Sequence, residues 1–139
     1  MNGFDHSALD AQQENWHTHM YPYKLASYQY TALSTVRTIA ELDFTSVEEA
    51  AVMNGIALFS QITITHAGSC DAVAVWVDYE LDEGHTSQQY TEQHGFVHHQ
   101  TINIKFLPTP TVVQLGQEIH CSIALDVVKN DFIYSFTVM

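Results

Sequence analysis

From Asp71 to Leu81 the chain alternates with a period of two. Val73, Val75, Val77, Tyr79 and Leu81 fall on one face, and Ala72, Ala74, Trp76, Asp78 and Glu80 on the other. A helix would need its apolar residues three and four apart, so this stretch is a predicted strand. The same period recurs in Val36 to Phe44 (Val36, Ala40, Leu42, Phe44) and in Leu58 to Thr65 (Leu58, Ile62, Ile64). It returns in Gln100 to Phe106 (Ile102, Ile104 and Phe106 inward), and in Glu118 to Val127 (Ile119, Cys121, Ile123, Leu125 and Val127 inward). The last is Phe132 to Val138, with Phe132, Tyr134, Phe136 and Val138 inward. Lys129-Asn130 suits a tight hairpin turn between these final two strands.

Strands joined by short turns are antiparallel, and they hide their apolar faces by packing into a sandwich or by closing into a barrel. Periodicity does not choose between the two, so the predicted fold is an all-β, antiparallel β-barrel or sandwich. Its 139 residues fit a single domain spanning 1–139, long enough to bury a core without disulfides. Ser46 to Met53 has two readings: a short helix, with a capping-box spacing at Ser46 and Glu49 and Gly55 to end it, or a polar loop.

Residues 10–35 break the pattern. Gln12-Gln13-Glu14-Asn15 is polar, and Trp16, Met20, Tyr21, Tyr23, Leu25, Tyr28 and Tyr30 follow with Pro22 among them. Such an aromatic-rich segment either forms an interface, where rings bury much area at little entropic cost, or covers one end of the β-structure.

Sixteen acidic residues stand against four basic ones, for a formal charge of −12. Nucleic acid and anionic membrane are repelled by such a surface, which either attracts cationic partners or serves solubility alone. Cys70 and Cys121 are the two cysteines, and Cys121 sits in an apolar alternation where a thiol packs as a small hydrophobe. The opening Met-Asn-Gly-Phe-Asp lacks the basic start and apolar run of a signal peptide, so an intracellular, cytoplasmic or nuclear protein is expected.

Several short motifs occur in a telling order. Gly3-Phe4-Asp5-His6-Ser7 is followed by Leu42-Asp43-Phe44-Thr45 and by a strand ending in Asp78-Tyr-Glu-Leu-Asp-Glu83. After a polar loop come His98-His99-Gln100-Thr101-Ile-Asn-Ile and Val113-Gln-Leu-Gly116-Gln-Glu-Ile-His-Cys. This order resembles the C-terminal β-barrel domain of the protein arginine N-methyltransferases, in particular the divergent, tandem-module members. The resemblance implies a barrel and a helical or irregular arm-like insertion at about 10–35, with Trp16, Tyr21, Tyr23 and Tyr28 as dimer-arm candidates. It implies a fragment of a larger methyltransferase that transfers methyl groups from S-adenosylmethionine to arginine side chains. The partners it implies are Arg-rich protein substrates, the catalytic methyltransferase domain and a second barrel in a homo- or hetero-dimer.

The chain itself has no glycine-rich turn for a cofactor, no alternating βα pattern and no paired glutamates to hold a guanidinium, so it is not expected to catalyse methyl transfer alone. Where the family has Thr-His-Trp before the Gln-led strand, this chain reads Phe96-Val97-His98-His99. His98 is the one candidate for a catalytic role carried by that loop, and the departure favours a structural or partner-binding module. Nine histidines invite a metal reading through His17 and His19 or through His94, His98 and His99, but no established ligand spacing such as His-Glu-x-x-His occurs. Proximity of His94, His98 and His99 to Asp82 and Glu83 would favour their protonation. Two other readings stand beside the family one: a pseudo-methyltransferase or accessory subunit, and an unrelated jelly-roll module that binds a ligand through Trp76 and the tyrosines. They are told apart by residues 10–35, which leave the barrel in the family reading and pack on the sheets in the last.

Overall fold

A computed structural model describes residues 20–41, 43, 58–82, 84–98, 100–126, 128 and 131–139. The protein is all-β and its sheets are antiparallel. Ten strands are described: β1 (Tyr21–Tyr23), β2 (Leu58–Thr63), β3 (Gly68–Val75), β4 (Tyr79–Asp82), β5 (His85–Ser87), β6 (Tyr90–Thr91), β7 (Gly95–Phe96), β8 (Ile102–Val113), β9 (Glu118–Asp126) and β10 (Asp131–Val138). They form two three-stranded sheets, β1-β8-β3 and β10-β9-β2, and two ribbons, β4-β5 and β6-β7. Among the described residues no ring of strands closes into a barrel. The helix or loop considered at Ser46 to Met53, the hairpin turn at Lys129-Asn130 and Trp16 all lie outside them.

The chain divides into two compact units, Met1–Thr31 with Cys70–Pro110 and Ala32–Ser69 with Thr111–Met139. In the second, β9 is the central strand. Leu58, Ser60 and Ile62 of β2 lie opposite Ile123, Cys121 and Ile119, while Tyr134, Phe136 and Val138 of β10 lie opposite the same three. Period-two side chains in register put all of these on one face, and Ile119, Cys121 and Ile123 are buried there. Ile64 and Val113, in the same unit, are buried as well. The turn from β8 to β9 closes through Gln117 N–H donating to the Gln114 carbonyl, 3.1 Å, with Gly116 at φ 82° where a left-handed residue is required.

In the first unit the core is Phe96, Ile102 and Ile104, packed by Tyr23, Leu25, Trp76, Tyr90 and Phe106. Ile102 is wholly buried, a burial that contributes about 1.5–3 kcal/mol.

Three sequence expectations differ from the structure. The strand predicted over Val36 to Phe44 is absent from its described part, where Val36 is exposed and only Ser34, just upstream, forms a bridge, with Ile64. The predicted strand Asp71 to Leu81 breaks after Val75, and the face packed on the core is Ala72, Ala74 and Trp76 rather than the valine row. Val77, Tyr79 and Leu81 are exposed because β4 pairs with β5 as a two-stranded ribbon. The strand from Gln100 runs on through Pro108 and Pro110 to Val113, both prolines lying exposed. Its buried positions pass from the even residues Ile102 and Ile104 to the odd residues Leu107 and Val113.

Candidate functional site

The chemistry-bearing side chains of the first unit gather around Phe96. Gly95, at φ 69°, turns the chain after Glu92-Gln93-His94, and His94 N–H donates to Thr91 Oγ1 at 3.1 Å. That tight return sets Phe96 opposite Tyr90 in the β6-β7 ribbon. Phe96 is 8% exposed. Trp76 meets it edge-on with centroids 5.0 Å apart, Tyr90 at 5.0 Å and Tyr30 at 5.9 Å. Trp76 and Tyr90 also pack on each other at 5.7 Å. Tilted and edge-to-face ring pairs of this kind add about 0.5–1.5 kcal/mol each beyond their buried area. Burial, and then the neighbouring Tyr90, push the Tyr30 hydroxyl above its ordinary range.

Carboxylates border the rings. Asp78 Oδ1 accepts the backbone N–H of Gln89 at 2.8 Å, which fixes the acid one residue from Tyr90. Glu80 and Asp82 follow on β4, and Asp82 pairs with His85 Nδ1 across the β4-β5 turn at Gly84. Residues 71–100 contain Asp71, Asp78, Glu80, Asp82, Glu83 and Glu92 and no Lys or Arg. A cation brought to this segment meets Asp78, held at the residue before Tyr90, and no competing basic side chain from 71–100; carboxylate with aromatic ring is the pairing that a planar guanidinium exploits best. The Gln89 side-chain oxygen is buried without a hydrogen-bond partner beside this cluster.

Val97 N–H donates to the Gln89 carbonyl at 3.0 Å and Gln100 N–H to the Val97 carbonyl at 3.2 Å, so the chain turns between Val97 and Gln100 on its way into β8. His98 stands exposed in that turn. His99, His17 and His19 lie outside the described residues. The histidine that reaches Asp82 is His85, which sequence reasoning did not single out. A three-residue spacing across a glycine turn was the available signal. Among the described residues, no group of three or more His, Cys, Asp or Glu is placed to hold a metal ion.

Of the dimer-arm candidates, Tyr21 and Tyr23 form β1, opposite Ile104 and Ile102 of β8. Both set their rings edge-on to Phe106, at 6.1 and 5.9 Å, and Tyr28 sets its ring on Tyr23 at 5.7 Å. The described part of the aromatic stretch therefore packs on the sheet. Cys70 and Cys121 are free and buried. Burial pushes the Cys121 thiol up to about 11 and raises Cys70 as well, so neither is a thiolate near neutral pH. No family model, curated protein or solved structure matches the chain.

Proposed function

We propose that this chain is the substrate-recognition and dimerisation β-domain of a protein arginine N-methyltransferase whose catalytic domain, upstream, binds S-adenosylmethionine. The observation that carries the reading is the ring cluster of Trp76, Tyr90 and Tyr30 around Phe96, bordered by Asp78 in a stretch without Lys or Arg. Arg-rich protein segments would lie along this acidic, aromatic surface while the catalytic domain acts on an arginine nearby. The motif order supports the reading: the acidic residues Glu80 and Asp82 fall on β4, Gln100 leads into β8, and Gly116 turns the chain into β9. The parent would work in the cytoplasm or nucleus, where such substrates and the cofactor occur.

Calorimetric titration with a Gly-Arg-Gly repeat peptide, and with versions carrying lysine or citrulline for arginine, tests recognition. Arginine is expected to bind best and citrulline worst; equal binding of citrulline would sink the surface. Asp78→Asn should weaken the arginine peptide by about 0.5–1 kcal/mol, roughly two- to fivefold. The enzyme half is tested by probing source cells with an antibody to this domain and assaying the captured protein for methyl transfer to the same peptide. A band several times heavier than 15.7 kDa with transfer activity is expected. A heavy band without activity would leave the pseudo-methyltransferase or accessory reading.

One observation favours the ligand-binding alternative: residues 21–23 pair with β8 and Tyr23 packs on the core instead of leaving the sheet. A folded isolated chain that binds a small planar ligand at Trp76, with quenched tryptophan emission and no preference for arginine peptides, would select it.

A further inference from the structure

β10 is an edge strand of unusual regularity. It pairs with β9 through Asp131–Val138 without a register shift, and among the described residues β9 is its one neighbour. Met139 N–H donates to the Glu118 carbonyl at 3.0 Å, which marks Met139 and Glu118 as a hydrogen-bonded pair. Antiparallel ladders alternate hydrogen-bonded and non-hydrogen-bonded pairs, so the odd residues of β10 bond to β9. The N–H and C=O groups of Tyr134, Phe136 and Val138 and the C=O of Phe132 therefore point away from β9, while Phe132 N–H, on the same side, donates to Asp131 Oδ1 at 2.8 Å. Natural edges are guarded by Lys, Pro, bulges or short length. β10 has none of these guards, and Ile133 on its outer face is 56% exposed.

We infer that this edge pairs with the β10 edge of a second copy of the chain, antiparallel about a two-fold axis at Ser135. The strand's own sequence argues for a copy of itself. With Ser135 opposite its symmetry mate, Phe132 faces Val138 and Tyr134 faces Phe136, which engages the outward-pointing backbone groups of the strand, Phe132 N–H exchanging the Asp131 carboxylate for the Val138 carbonyl of the second copy. Ile133 faces Thr137, and Asp131, the one charged side chain in β10, faces the side chain of Met139, so no like-charged side chains meet. The two aromatic rows join on the buried face and the two outer faces match in polarity. An axis at Tyr134 instead would leave Val138 opposite Asn130, beyond the start of the strand. A dimer of this type is closed and isologous, and it turns two three-stranded sheets into one of six. The chain's net charge of −12 opposes the approach at long range, so added salt strengthens the association. This dimer does not depend on methyltransferase identity and uses a different surface from the aromatic stretch at 10–35.

Sedimentation equilibrium of the 139-residue chain in 0.5 M salt tests the inference together with two variants. The parent chain is expected at twice 15.7 kDa and Ser135→Lys, which sets two ammonium groups face to face, at 15.7 kDa with an unchanged circular dichroism spectrum. Ser135→Cys sits at a non-hydrogen-bonded pair with Cα atoms about 4.5 Å apart, within disulfide range, and should cross-link to a dimer under mild oxidation. Thr137→Cys, which faces Ile133 and not itself, should cross-link at least tenfold less. A chain that stays at 15.7 kDa overturns the inference. So does a dimer that Ser135→Lys leaves intact or that cross-links equally through residues 135 and 137; such a dimer would use another surface.

Discussion

The unit of residues 1–31 and 70–110 and the unit of residues 32–69 and 111–139 enclose their apolar groups by different means. In the first, Phe96 collects Trp76 and Tyr30 from segments outside the strands and Tyr90 from the two-residue β6, and the rings do the space-filling. In the second, β2, β9 and β10 run in register for six to eight residues, and a row of aliphatic side chains and Cys121 lines one face beside the β10 rings Tyr134 and Phe136. Rings carry enough area to be positioned singly, so strand length matters little; small aliphatic groups must be delivered in rows, which only a long ladder does. The ring-built unit also holds Asp78 on the residue next to Tyr90, and the ladder-built one ends, among the described residues, on the edge of β10.

The comparison breaks most visibly at Phe96. Phe96→Ala should cost about 3–5 kcal/mol and abolish the near-ultraviolet dichroism of Trp76. A fall in Tm no larger than that caused by Tyr134→Ala, whose ring is half-buried on β10, would contradict the central role of that one ring. Next in size, Gly95→Ala places an L side chain at φ 69° and should cost about 1–2 kcal/mol in chemical denaturation. Loss of less than half that would mean the β6-β7 turn is not what holds Phe96 in place. Hydrogen exchange sharpens the contrast: amides of β9, paired on both sides, should exchange about tenfold or more slowly than those of β6 and β7. The smallest effect is alkaline. The folded Cys121 thiol, raised by burial from 9.0 to about 11, keeps a proton that the unfolded chain has released, so its contribution is complete below pH 9 and declines as pH rises towards 11. Cys121→Ala should flatten that part of the stability profile, and an unchanged slope would remove the thiol from the core's account.

Much of this was readable from residue order, for reasons that differ between the units. The ladder was legible because Ile119, Cys121 and Ile123 alternate with polar residues and their burial follows that alternation. Trp76 and Tyr90, fourteen residues apart in a polar stretch, gave no periodic signal of contact; ring packing is tertiary and leaves no period in the chain. The alternation of residues 71–81 assigned two faces but did not say which is buried. β-Branched residues mark a strand, but the side it buries was set by Trp76, the largest ring on the opposite face. Asp78 was visible as part of an acidic strand end, whereas its bond to Gln89 N–H depends on how the intervening turns fold back.

β8 holds a further consequence. Its inward positions are even at Ile102 and Ile104 and odd at Leu107 and Val113, so the spacing between those two stretches matters more than what fills it. Exchanging the residue types at 105 and 106 alters a contact; adding or deleting one residue there would carry Leu107 and Val113 to the wrong side of the backbone and offer Pro108 and Val112 to the interior instead. That short interval is a place where the protein is governed by counting, tolerant of spelling changes and intolerant of a change in length.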